Sequence, residues 1–463
     1  MREQLLSDLG SILSGVVGKS ADYADIYMQS GASHGLLFEE GRMDTLSSSR
    51  SDGLGVRVVK GDDTVYAHTP GTTVHALAHG LREASSLSDV ALACPADPSD
   101  EAILDERPAL PALDPGFFHD LDKMLRAECK YLRQATFRYR TSIKSILIVR
   151  GDGTVARDRR KYTTFAANVV LDRDGDLQTG YEVRSLQAGA DDFWTHGGVC
   201  TAEDIAREAL ARGILMLDAV PCPAGTMTVL MEGTAGGTMI HEACGHGLEA
   251  DIIQKDYSVF RDRLGEVVAN PLVTIVDDAT LPGRYGSYAC DDEGTPARRT
   301  VLVENGVLKN YLTDIVSAQL GGLPRTGNGR RESYQHVPLP RMSNTFITPG
   351  TSTRDEMLSG VKEGLLVRKM GGGEVNPTSG DFVFFVSEGY LIRDGKVGAA
   401  VKGATLTGNG PESLRNILAV GSELVLDPGT CGKSGQGVPV TDGQPTLLIE
   451  NLIVGGSDTG DGD

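Results

Sequence analysis

The chain has 463 residues, 40% hydrophobic and 23% charged, enough for two or three domains with sizeable cores. Its 58 glycines and 5% aromatic content point to many turns and a sheet-rich build. With 44 basic against 63 acidic side chains the formal charge is -19, which argues against direct nucleic-acid binding, and no stretch approaches the roughly 18 apolar residues of a membrane span.

In MREQLLSDLGSILSGVVGKS, Leu5, Leu6, Leu9, Ile12, Leu13 and Val16 recur at helical spacing between polar residues, which predicts an amphipathic helix and not a signal peptide. Strand-like alternation follows over 24–68, with a hairpin around Gly61-Asp62-Asp63, and then a helix over 72–87. The stretch 94–116 is rich in proline and acid without a sustained period; it reads as a linker and sets the first boundary. From 144 a β-meander is expected: SILIVR, a turn at Gly151-Asp152-Gly153, a strand through YTTFAANVVL, a turn at DRDGD, and LQTGYEVRS. The glycine of DRDGD is fourth where a calcium loop needs it sixth, so this is a hairpin turn. Thr201 caps a helix, TAEDIAREALARGILML, and the second boundary falls near Pro221-Cys222-Pro223.

The last part opens with a strand, GTMTVLME, and a glycine loop, GTAGG, before a helix within GTMIHEACGHGLEAD, 237–251. Further strands are expected in PLVTIVDDA, RRTVLVENGVLKNYLTD (a hairpin on Asn305-Gly306), FVFFVSEGYLIRDGKVG and QPTLLIENLIVGG. Helices are expected near 353–365 and 411–420, and a frayed tail at GGSDTGDGD. The fold class is therefore α+β: a multidomain chain of mixed and antiparallel sheets with helices. It divides into an N-terminal α/β domain (1–110), a central meander plus helix (111–220) and a C-terminal domain (221–463).

His241 and His246 stand five residues apart with Glu242 after the first. In a regular α-helix five residues rotate by about 500°, leaving the two side chains roughly 140° apart. A local π-bulge would return them to one face, and Gly245 and Gly247 supply the backbone freedom it needs. Beside a zinc-bound histidine, Glu242 can accept the proton of a metal-activated water without binding the ion, so the motif points to a hydrolytic zinc site.

A catalytic zinc usually keeps three protein ligands. The candidates for the third are Cys244, Glu249, Cys290, His336 and Cys431. Cys244 competes with His246 for one helical position and reads as packing, and Glu249 reads better as an acceptor for a histidine N–H. Cys431 leads, because its segment DPGTCGKSGQGVPV is a glycine-rich loop without apolar neighbours to bury a thiol. GKS there is not a phosphate loop: the position of the leading glycine is Asp427, and no helix follows. The seven cysteines, scattered and without a CxxC pair, fit reduced thiols in the cytoplasm.

GTMIHEACGHGLEAD, GNGRRESYQHVPLPRMSNTF (327–346), GGGEVNPTSGDFVF (371–384), CGKSGQGVPV and GQPTLLIENLIVGG, in this order, resemble the TldD/PmbA family of zinc-dependent peptidases. The likeness is closer to the TldD subunit, which carries HExxxH, than to its TldE (PmbA) partner. The resemblance implies that His241, His246 and Cys431 hold Zn2+ and that Glu242 is the general base. It also implies a heterodimer with a TldE/PmbA-like subunit that cleaves unfolded polypeptides or leader and precursor peptides. His336, Tyr334 and Arg331 are candidate oxyanion or substrate contacts. The alternatives are a metal-stabilised, non-catalytic subunit that binds peptides or proteins such as gyrase or an antitoxin, and a hydrolase of non-peptide amides. A purely structural zinc needs no adjacent base, so Glu242 argues for catalysis.

Overall fold

The computed structural model describes residues 2–95, 99–104, 116–195 and 200–456. Much of the proline- and acid-rich linker, residues 96–98 and 105–115, and the tail from 457 onward lie outside the described residues.

The first half folds around one seven-stranded sheet. Helix α1 (Arg2–Ser14) precedes β1 (Tyr23–Glu39), β2 (Arg42–Arg50), β3 (Gly53–Lys60) and β4 (Asp63–Pro70). Helices α2 (Val74–Leu87) and α3 (Gly116–Glu128) lead to β5 (Leu132–Arg150), β6 (Val155–Arg173) and β7 (Asp176–Leu186), and α4 (Ala202–Asp218) closes this half. The strand order is β4-β3-β1-β5-β6-β7, with β2 also on β1. β1 is long enough to pair with β3 through Tyr23–Gln29 and with β2 through Ala32–Glu39, while β5 runs antiparallel along its other edge. The sheet is thus continuous across position 110.

Two separate cores cover this sheet. In one, Leu9 and Leu13 of α1 and Leu77 and Leu81 of α2 pack with Ile26, Val56 and Leu147. In the other, Phe118 and Leu121 of α3 and Ile205 and Leu210 of α4 pack with Phe38, Phe137 and Phe165. Each fully buried leucine or phenylalanine contributes about 1.5–3 kcal/mol, so these stripes dock the helices. The predicted cap Thr201 forms a capping box with Asp204, and Thr73, not singled out in the sequence, caps α2 by accepting from Ala76 N. DRDGD is a hairpin turn, with Asp174 and Gly175 at φ 56° and 93°.

The second half begins with β8 (Val220–Pro221), β9 (Gly225–Met231), β10 (Ile275–Asp278), β11 (Arg299–Glu304) and β12 (Val307–Leu308). A ribbon of β13 (Gly329–Arg330) and β14 (Leu339–Pro340) precedes β15 (Asn344–Ile347). The remaining strands are β16 (Glu363–Val375), β17 (Asp381–Arg393), β18 (Lys396–Lys402), β19 (Thr405–Asn409), β20 (Ile417–Val420), β21 (Val425–Lys433), β22 (Gln436–Gln444) and β23 (Leu447–Gly455).

One six-stranded sheet runs β12-β11-β10-β15-β22-β21. An eight-stranded sheet runs β16-β9-β23-β19-β17-β18-β8 with β20 also on β23, and an added β16–β17 pairing closes five of its strands into a ring. β17 is thereby bonded on both sides, and Phe382 and Phe384 sit in the core.

Two expected helices are shorter than the sequence indicates. The helix expected over 353–365 is Arg354–Ser359, because Leu365, Leu366 and Val367 pair in parallel with Val229, Leu230 and Met231. The helix expected over 411–420 is Gly410–Arg415, because Ile417–Val420 pairs with β23. In both, short apolar runs fit a helix or a strand locally, and tertiary pairing decides. No described helix is long and apolar enough to cross a membrane.

Charged side chains join the two halves. Arg57, fully buried on β3, pairs with Asp25 of β1 and with Glu293 at 2.7 Å, and Arg160 pairs with Asp292 at 2.9 Å.

Candidate metal centre

The chain reaches the histidines through a helical turn, Thr238–Ile240, and continues as a π turn over His241–Gly245 and a 3-10 turn over His246–Leu248. The π turn is the distortion that the five-residue spacing calls for: it adds one residue to the turn and brings His241 and His246 onto one face. Their rings lie 4.9 Å apart and nearly perpendicular.

Glycines let neighbouring backbones close on this segment. A Cβ on Gly245 would lie 2.1 Å from Met342 Sδ, one on Gly237 would lie 2.1 Å from Gly443 N, and one on Gly410 would lie 2.2 Å from Ala243 O. Cys244 sits in the apolar core with its thiol pushed up to about 12 by burial, as its packing role requires.

Cys431 comes from β21, which forms a hairpin with β22 through Ser434 and Gly435, at φ 51° and 73°. The segment expected as an open glycine loop is therefore paired strand, and Cys431 is buried at 2% exposure. The glycines and the hydrophilic look of the stretch serve the tight turn and its solvent-facing residues, while Val438 and Val440 of the partner strand face the core.

One ligand atom each of His241, His246 and Cys431 lies within 4.8 Å of the others. Cys431 Sγ is 3.5 Å from His246 Nε2. The other ring nitrogens are held by carboxylates: His241 Nδ1 is 2.9 Å from Asp442 Oδ1, and His246 Nδ1 is 3.1 Å from Glu249 Oε2. A carboxylate on Nδ1 fixes the proton there and leaves Nε2 as the donor atom, the usual support for a metal-binding histidine. Burial pushes the Cys431 thiol up, but hydrogen bonds and charge from His241 and His246 outweigh it and bring it to about 5. Two imidazoles and a thiolate converging in this way fit zinc.

Glu249 takes the supporting role expected of it, and Asp442 is a functional residue that the sequence reading missed. Its local cue, Thr441-Asp442-Gly443, looks like a turn, and only the hairpin register brings it beneath His241. Lys433 was also missed. Its Nζ donates to Glu249 at 2.9 Å, Asp251 at 2.6 Å and the Pro340 carbonyl at 3.1 Å. Burial would raise Glu249, but Lys433 and His246 hold it at about 2. Arg341, buried, donates to the Cys431 carbonyl and fixes that strand.

Glu242 is half-buried and has no hydrogen-bond partner among the described residues. Burial holds its carboxyl above the usual range, against the pull of His241 and His246.

The central loop packs against the first half of the chain. Arg331 is buried over the Tyr27 ring at 4.3 Å and donates to the Asp292 carbonyl and to Tyr66 Oη. Tyr334 is buried against Gly53, its carbonyl accepting from Tyr66. His336 Nδ1 meets Ser333 Oγ at 2.9 Å. These contacts hold the loop against the first sheet.

Three family models match the chain: PmbA/TldA metallopeptidase domain 1 over residues 24–88, the central domain over 95–217 and the C-terminal domain over 224–456. A metalloprotease TldD homolog of Haemophilus influenzae is 37% identical over 452 residues, covering 95% of this chain and 94% of that protein. A zinc metalloprotease TldD homolog of Saccharolobus solfataricus is 33% identical over 236 residues, half of this chain and 52% of that protein. The fold is shared with TldE from Thermococcus kodakarensis, at a TM-score of 0.75 and 17% identity, covering 98% of this chain and 100% of that one.

Proposed function

We propose, for a chain that belongs to the TldD/PmbA family of metallopeptidases, that it hydrolyses peptide bonds in unfolded polypeptides or in leader and precursor peptides. In this reading His241, His246 and Cys431 hold zinc and Glu242 is the general base. The observation that carries it is the convergence of the three donor atoms within 4.8 Å beside a half-buried carboxylate that has no hydrogen-bond partner among the described residues.

A zinc ion held there supplies a Lewis acid that polarises the scissile carbonyl and makes water nucleophilic at neutral pH. The protein's part follows from its own groups. Asp442 and Glu249 keep the imidazoles oriented and their Nδ1 protonated, and Cys431 contributes a thiolate. Glu242 takes a proton from the attacking water and delivers it to the departing amine nitrogen. A carboxyl held above its ordinary range by burial suits this task, since it must keep the proton between the two transfers.

Residues 221–463 are the catalytic domain in this reading, and the segments 1–110 and 111–220, joined in one sheet, pack against it. The active form pairs with a TldE/PmbA-like subunit in the cytoplasm. The test compares the chain with Glu242→Gln on an unstructured peptide while zinc is measured in both. Cleavage lost with zinc retained supports the reading; equal cleavage, or no zinc in either protein after metal addition, overturns it.

A further inference from the structure

Cys431 stands on a part of the hairpin that its sheet does not hold in place. β21 is the edge strand of the six-stranded sheet and is bonded only to β22. β22 meets β15 through Thr441, Asp442 and Gly443, so residues 431–438 form an arm that reaches past that pairing. Within the arm Cys431 pairs with Val438 and Lys433 with Gln436.

Several hydrogen bonds tie the arm to the loop 330–341. Arg341 donates to the Cys431 carbonyl and, at 3.2 Å, to the Gln436 carbonyl. Gln436 donates to the Val337 carbonyl at 3.0 Å, and the Gly437 N–H donates to Glu332 at 2.7 Å. That loop is held in turn by the first half, where Tyr66 donates to the Tyr334 carbonyl.

Lys433 makes a different connection. Strand alternation puts it on the face of Cys431, two residues on, and its side chain is 9% exposed. The three protons of its ammonium meet three acceptors: Glu249 Oε2 at 2.9 Å, Asp251 Oδ1 at 2.6 Å and the Pro340 carbonyl at 3.1 Å. Glu249 Oε2 is also the atom that lies 3.1 Å from His246 Nδ1, and His246 Nε2 lies 3.5 Å from Cys431 Sγ. The path therefore closes on itself, from Cys431 through Lys433, Glu249 and His246 back to Cys431. Among the described residues, Lys433 is the arm's one side chain besides Cys431 that hydrogen-bonds the histidine segment or the helical turn Ala250–Gln254 after it. Glu249 is fully buried and its other oxygen has no hydrogen-bond partner among the described residues. Removing Lys433 leaves that carboxylate to the imidazole alone and leaves the arm to follow the loop.

We infer that Lys433 is a positioning residue for the metal centre: it latches the hairpin arm onto the histidine segment and so keeps Cys431 within reach of a metal held by His241 and His246. The inference rests on the metal site of the proposed function and not on the reaction carried out there.

The experiment uses the full chain, stripped of metal and reloaded with zinc or with cobalt(II), as the parent, Lys433→Met, Asp251→Ala and Lys402→Met. Zinc affinity is read by chelator competition. The cobalt protein is read by its thiolate-to-metal charge-transfer absorption, which reports a sulfur ligand directly. Lys433→Met is expected to weaken zinc binding about tenfold or more and to lose most of the charge-transfer band while cobalt stays on the histidines. Asp251→Ala keeps the cation beside Glu249 and removes one anchor, so both readouts should move the same way by less; it carries the test if Lys433→Met does not fold. Lys402→Met breaks an ion pair elsewhere, with Asp176 at 3.0 Å, and is expected to leave both readouts unchanged. Lower thermal stability of Lys433→Met with affinity and band unaltered assigns Lys433 to the fold alone and overturns the latch, as does an equal loss in Lys402→Met. A parent that binds cobalt without the band overturns Cys431 as a ligand and the latch with it. A band that depends on Lys433 in a parent that cleaves no peptide keeps the latch and overturns the peptidase reading.

Discussion

Asp442 Oδ1 lies 2.9 Å from Nδ1 of His241, and Asp442 stands on the strand paired with the one that carries Cys431. One hairpin therefore supplies one donor of the candidate metal centre and the carboxylate that holds the ring of another. Asp442→Asn keeps the shape but can no longer hold the imidazole as a charged acceptor. Zinc affinity, measured by competition with a chelator, is expected to fall about 10–100-fold. An unchanged affinity would mean that packing around His241 orients the ring without Asp442.

Removing the general base separates chemistry from metal binding. Glu242→Gln is expected to lower kcat about 10²–10⁴-fold with zinc content unaltered, because in the proposed reading Glu242 moves protons and is not a ligand. Cys431→Ala is expected to lose zinc itself, measured per chain by elemental analysis. Zinc retained by Cys431→Ala would place the third ligand elsewhere.

The site was legible to different depths in the sequence. His241, Glu242 and His246 are local, and helix geometry alone called for the π turn that carries them. Glu249, three residues on, was readable by the same logic. Asp442 and Lys433 were not, because their roles depend on the hairpin register and on how that hairpin meets the helix, which no local pattern encodes. Cys431 was chosen for a loop that is in fact a strand: the segment's glycines and charges gave the chemistry and concealed the pairing. Arg331 and Tyr334 show the opposite difference between sequence and structure. They looked available because they are polar and lie in a central loop, yet the first sheet buries them. The single sheet shared by the first two segments was hidden for a similar reason, since β1 and β5 are joined across a linker and helices that look like a break.

A buried acid cluster where the halves meet predicts a pH dependence of stability. Burial, with the charge of Glu293 adding to it, raises Asp291 to about 8 and Asp314 to about 7. A carboxyl whose folded-state pKa is raised stabilises the fold in its protonated form. That contribution is fully present below the unfolded value near 4 and is lost as pH rises through 7 and 8. Tm measured on the zinc-loaded protein is expected to fall over this window. Asp314→Asn should flatten the part that ends near 7, and its amide oxygen can still accept from Ser317 N, where the aspartate now caps the helix at 2.7 Å. A slope unchanged in Asp314→Asn would assign the dependence to other groups.

Gly237 and Gly245 lie on either side of His241 and predict unequal costs. A Cβ on Gly237 meets backbone, 2.1 Å from Gly443 N and 2.3 Å from the Asp442 carbonyl carbon. The helix and the hairpin must then separate. A Cβ on Gly245 meets Met342 Sδ at 2.1 Å, and a methionine side chain can move aside more readily than a strand. Gly237→Ala is therefore expected to destabilise by about 1–3 kcal/mol or more in chemical denaturation, and Gly245→Ala by less. Because the Gly237 contact is with Asp442 and its neighbour, the same substitution should also weaken zinc binding, moving Asp442 away from His241 without altering either residue. Full zinc affinity in a folded Gly237→Ala protein would show that the helix and hairpin accommodate the methyl group without moving Asp442 from its place beneath His241.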